Sequence, residues 1–118
     1  MKVILIVDDE EAFRKGLSKG LSMEGYEVLE AKDGLEGLDI AARQLPDLII
    51  TDVQMDNMNG FMMLEELRRN EVTSLIPAIL MTGAAVTAGA WQAGGALEYL
   101  EKPFSLEDLL RVVKKIVG

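Results

Sequence analysis

The 118-residue chain contains no cysteine and no histidine. Without cysteine there are no disulfides and no thiolate zinc site. Without histidine, a Ser-His-Asp triad, an imidazole-ligated metal and a phosphohistidine carrier are all excluded. Basic charge is also scarce: 12 Lys and Arg stand against 20 Asp and Glu, a net charge of -8. That excess argues against direct contact with nucleic acid or an anionic membrane, both of which would repel it. No apolar run approaches the ~20 residues of a membrane span. The opening MKVILIVDDE meets charge too soon for a signal peptide. These absences predict a soluble, cytoplasmic protein. The length suits one domain over residues 1–118, with no linker, repeat or low-complexity segment.

Short apolar runs alternate with longer stretches of helical period, the pattern of βα units around a parallel sheet. Strands are predicted at Lys2 to Val7, Tyr26 to Ala31, Leu48 to Thr51, Ala78 to Thr82 and Glu98 to Glu101. Helices are predicted at Glu10 to Met23, with Phe13, Leu17 and Leu21 inward, and at Gly34 to Gln44, with Leu35, Leu38 and Ala42 inward. A third runs from Gly60 through Arg69. Ser105 and Asp108 form a capping-box pattern that opens a last one, Leu106 to Val117. Gly25 suits a helix C-terminus. The stretch Gly83 to Gly95 fills a further helix slot with four glycines and no charge. Each Gly costs a helix ~1 kcal/mol relative to Ala, so this helix is expected to be loosely held.

Polar residues follow three apolar runs that read as buried strands: Asp8-Asp9 after Val3 to Val7, Asp52 after Leu48 to Thr51, and Lys102-Pro103 after Ala96 to Leu100. The C-terminal edge of an open α/β sheet is where ligands bind. Three carboxylates and one ammonium there suggest a divalent cation and a phosphoryl group. Two carboxylates ~4 Å apart repel by roughly 4 kcal/mol at an effective dielectric of 20, so a cation relieves the cluster. Each residue also has a plainer reading. Asp8-Asp9 suits a helix N-cap pair, Lys102 a surface lysine, and Thr82 and Tyr99 ordinary strand residues. Arg14, Lys15 and Lys19 read as a solvated helix face, or as a basic patch for an acidic partner.

The segments IVDDE at 6–10, DLIITDVQM at 47–55, MNG at 58–60, Thr82 and GGALEYLEKPF at 94–104 resemble, in order, the receiver domain of two-component response regulators. The resemblance covers essentially the whole chain. It implies a flavodoxin-like, doubly wound, five-stranded parallel sheet of order 2-1-3-4-5 with five flanking helices. It implies Asp52 as phosphoacceptor and a Mg²⁺ ion on Asp9, Asp52 and the Gln54 backbone carbonyl, with Asp8 acting largely through water. Lys102 would pair with Asp52 and then with the phosphoryl group, after a cis bond to Pro103. Thr82 and Tyr99 would form the coupled switch. The implied partners are a histidine kinase or histidine phosphotransfer protein upstream and an effector domain or protein downstream. Such a chain is a regulator rather than a turnover enzyme.

The chain also departs from the family pattern. Asp56 stands where proline is usual; as a fourth acid it would recruit metal or repel the donor, and as a turn residue it would do neither. Gly83 stands where alanine is commoner, which would widen access to the pocket. Trp91 and small residues replace the usual charges of the following helix, against the usual salt-bridged dimer. Other readings fit less well. A haloacid-dehalogenase-type phosphohydrolase wants an acid where Gln54 stands. An EF-hand starting at Asp52 wants Gly and Glu where Asn57 and Met63 stand. A receiver-like scaffold that is never phosphorylated lacks no residue of the set.

Overall fold

Short runs of branched aliphatic residues become strands where both of their faces can be covered. In the computed structural model, which describes residues 1–55, 57–83 and 96–118, such runs form β1 (Val3–Val7), β3 (Leu48–Asp52) and β4 (Ala78–Thr82), all almost fully buried. The half-exposed β2 (Glu27–Ala31) and β5 (Glu98–Glu101) flank them. The five strands are parallel in the order β2-β1-β3-β4-β5, the order implied by the resemblance. One expectation needs correcting: the run Ala96 to Leu100 is not a buried strand. It is an edge with a single strand neighbour, and its Glu98 reaches out to Lys115.

Four helices complete the described residues: α1 (Glu11–Met23), α2 (Gly34–Gln44), α3 (Gly60–Arg69) and α4 (Leu106–Val117). A fifth helix is expected at Gly83 to Gly95; residues 84–95, with Trp91, lie outside the described residues, as does Asp56. Helix ends obey local chemistry. Gly25, at φ 94°, turns the chain after α1. Asp33 and Asn59 accept the N–H groups of Glu36 and Met62, and Ser105 with Asp108 forms the expected capping box.

Alternation along the strands divides the core in two. Ile4, Ile6, Leu48, Ile50, Ile79 and Met81 pack against Leu17 and Leu21 of α1 and Leu109 and Val113 of α4. Leu5, Val7, Ile49, Ala78 and Leu80 pack on the other face with Ala41 of α2 and Met63, Leu64 and Leu67 of α3. The inward face of α2 differs from the expected one. Leu35 and Ala42 are exposed, Leu38 packs against the core as expected, and the buried positions are Gly34 against Met58, Gly37 and Ala41. A Cβ at Gly37 would stand 3.0 Å from Val7 and 3.1 Å from Met63, so the helix seats on its smallest residues. A rule that searches for large apolar side chains overlooks such a face.

Candidate acidic site

Asp8, Asp52 and Lys102 each stand two residues beyond a side chain of the α1–α4 core, namely Ile6, Ile50 and Leu100. Strand alternation carries that phase to the sheet's C-terminal edge. Carboxylate oxygens of Asp8, Asp9 and Asp52 gather there, all within 4.8 Å of one another. The Lys102 Nζ faces them, 3.2 Å from Asp8 Oδ2 and 3.5 Å from Asp52 Oδ2. The four residues predicted for the pocket therefore do meet.

Asp8 is fully buried and held at every polar atom. Its N–H donates to the Ala31 carbonyl at 3.1 Å, and its carbonyl accepts from Arg14 Nη1 at 2.7 Å. Oδ1 accepts the Glu10 N–H at 2.9 Å, which leaves Oδ2 for Lys102. Asp9 is exposed, and the N-cap of α1 is Glu10, so capping does not account for the acidic pair. Asp52 is 7% exposed. Burial pushes its carboxyl up; the Lys102 charge pulls it down, Asp8 adds repulsion, and the net direction is upward. A group desolvated in this way gains from a cation beside it.

Thr82 is buried at the end of β4, and its carbonyl accepts the Lys102 N–H at 2.7 Å. Thr82, two residues beyond Leu80, and Tyr99 share the phase of the α2–α3 core. Gln54 lines an open cleft of about 420 Å³ with Asp9, Val53, Met55 and Asn59. The Lys102-Pro103 bond is cis, as the resemblance implied. A Cβ at Gly60 would collide with the Asp52 carbonyl oxygen, which gives the glycine of the MNG segment its physical reason. At Gly83 a Cβ would meet nothing within 4 Å among the described residues.

Two contributors escape sequence reasoning. Arg14 is not a solvated residue: its side chain is 11% exposed and bonds both the Asp8 carbonyl and Glu30, the latter at 2.9 Å. Phe13 lies under Lys102, 4.2 Å from Nζ to ring centroid, where helical period assigned it only to the core.

Three hard oxygen donors with an ammonium opposite suit a divalent cation and an anion bound side by side. The chain matches the model of the response regulator receiver domain over residues 4–114. It is 37% identical over 119 residues to the DNA-binding dual master transcriptional regulator RpaA of Synechocystis sp., covering 99% of this chain and 49% of that protein. It is 36% identical over 114 residues to response regulator MprA of Mycobacterium leprae, covering 97% of this chain and 50% of that one. The chain thus spans about half the length of the curated relatives it matches. Chemotaxis response regulator CheY4 of Vibrio cholerae is similar in structure, with a TM-score of 0.93, 34% identity and 99% of both chains covered. So is the receiver domain of sensor histidine kinase PA1611 from Pseudomonas aeruginosa, with a TM-score of 0.90, 28% identity and 99% of this chain and 98% of that chain covered. That neighbour has a magnesium ion coordinated in its active site cleft. Sequence and structure agree over nearly the full length, and this chain belongs to the response regulator receiver domain family.

Proposed function

We propose that this chain is a phosphoacceptor module: Asp52 takes a phosphoryl group from a histidine kinase or a histidine phosphotransfer protein. The observation that carries this reading is the meeting of Asp8, Asp9 and Asp52 within 4.8 Å, with Lys102 against two of them. An Asp52 oxygen attacks phosphorus, and the bond from phosphorus to the donor breaks with its electron pair left on the donor. A carboxylate is a weak nucleophile, so the charge of the incoming group must be neutralised. Asp9, Asp52 and the Gln54 carbonyl would hold Mg²⁺, which when bound supplies positive charge beside the phosphoryl oxygens. Asp8, with its oxygens already engaged by Lys102 and the Glu10 N–H, suits a role one water removed.

Lys102 moves its hydrogen bonds from carboxylate to phosphoryl oxygen, and the Thr82 hydroxyl donates to another. Tyr99, on the same sheet face as Thr82, responds to that shift and carries it outward. The product is the modified chain itself, so the module regulates rather than turns over substrate. Its output passes to an effector domain or protein.

The test is incubation with Mg²⁺ and acetyl phosphate, followed by intact mass spectrometry. A metal-dependent phosphoryl adduct that is absent from Asp52→Asn supports the reading. An unmodified, folded protein with both acetyl phosphate and a kinase donor overturns it.

A further inference from the structure

The Lys102 ammonium has a third partner besides its two carboxylates. The Phe13 ring lies beneath it, 4.2 Å from Nζ to centroid, and Phe13 itself stands edge-on to Phe104 at 6.0 Å and 80°. Phe104 is two residues beyond Lys102, so the loop that carries the lysine also packs against the ring beneath it. An aliphatic side chain at position 13 would still be apolar, but it would not face the ammonium with a ring. Only a ring offers a cation a face of negative potential.

We propose that Phe13 is the positioning residue of Lys102, keeping the ammonium at the pocket when a metal ion draws on the carboxylates that also hold it. This rests on the phosphoacceptor reading. Lysine and divalent cation draw on the same two carboxylates, Asp52 directly and Asp8 through water in that reading. A lysine with carboxylate partners alone would be displaced on its flexible stem toward water. The ring does not compete for the metal, which prefers oxygen ligands. It therefore holds the ammonium where an arriving phosphoryl oxygen meets it, and the two cations divide the site.

The experiment compares wild type, Phe13→Leu and Phe13→Tyr. Calorimetry gives Mg²⁺ affinity, acetyl phosphate kinetics give phosphoryl uptake, and NMR gives the Lys102 Hε shift. In the wild type the Lys102 Hε protons resonate upfield of those of other lysines, from the ring current of Phe13, and Phe13→Leu abolishes that shift. Phe13→Leu lowers the maximal rate of phosphoryl uptake by about two- to thirtyfold. The acetyl phosphate concentration at half-maximal rate does not change, and Mg²⁺ binds as tightly or more tightly. Phe13→Tyr restores the rate, and fluorinated phenylalanines placed at 13 lower it in step with their number of fluorines. A wild-type uptake rate in Phe13→Leu overturns the proposal. So does a loss that Tyr shares and that tracks melting temperature, since it would make Phe13 a packing residue only. Should the wild type take up no phosphoryl group, the phosphoacceptor reading falls, and the Hε shift still decides whether the ring holds the ammonium.

Discussion

At the scale of single residues, the pocket is assembled against the interest of the fold. Asp52 is buried beside a second acid, and its carboxyl is pushed above the ordinary aspartate range. A folded-state value above the unfolded one means that stability is greatest at low pH and is lost as pH rises through the folded value. At neutral pH the ionised Asp52 is therefore a cost. Asp52→Asn is expected to raise the urea midpoint of the metal-free protein at pH 7, with the gain shrinking as pH falls into the aspartate range. Gly60→Ala is expected to lose about 1–3 kcal/mol, because its methyl meets the Asp52 carbonyl and the backbone must yield; urea unfolding measures it. The acids and the lysine were legible in the sequence because each comes at the C-terminal end of an apolar run. Phe13 and Arg14 were not, because their partners Lys102 and Glu30 belong to other elements and helical period reports only one face of a helix.

At the scale of elements, α1 is fastened to β2 by one carboxylate. Glu30 accepts from Arg14 at 2.9 Å and from Lys15 and Ser18 at 3.1 Å each. Burial works to raise its carboxyl, but the hydrogen bonds from Lys15, Arg14 and Ser18 together hold it below the usual 4.5. A depressed value gives stability that is present above the unfolded value and lost as pH falls through the folded one. Glu30→Gln is thus expected to cost roughly 1–2 kcal/mol at pH 7. Its urea midpoint should approach that of the wild type as pH drops below the glutamate range. Because Arg14 also holds the Asp8 carbonyl, this junction stiffens the turn that carries two of the pocket acids. Element types and most boundaries were legible from period and caps. The seating of α2 was not, because Gly34 and Gly37 carry no hydrophobic signal though they make its closest approach.

At the scale of the whole molecule, a chain of net charge -8 concentrates three acids at one edge of its sheet. A cation bound there acts on folding by mass action, adding about 2.7 kcal/mol when present at a hundred times its dissociation constant. Mg²⁺ is expected to raise the melting temperature in calorimetry, EDTA to reverse the rise, and Asp9→Asn to diminish it. Alternating βα units were read from periodicity, but the strand order came from resemblance; period alone does not say which strands are neighbours. The sidedness of the pocket has a consequence for insertions and deletions. Asp8, Asp52 and Lys102 stand four, four and two residues beyond Ile4, Leu48 and Leu100, all on one face of the sheet. One residue gained or lost within β1 or β3 would send an acid to the opposite face without altering any acid. Two would return it, displaced by one pleat. The strands that carry the pocket can therefore change length only in pairs, and single-residue variation in length belongs to the loops away from this edge.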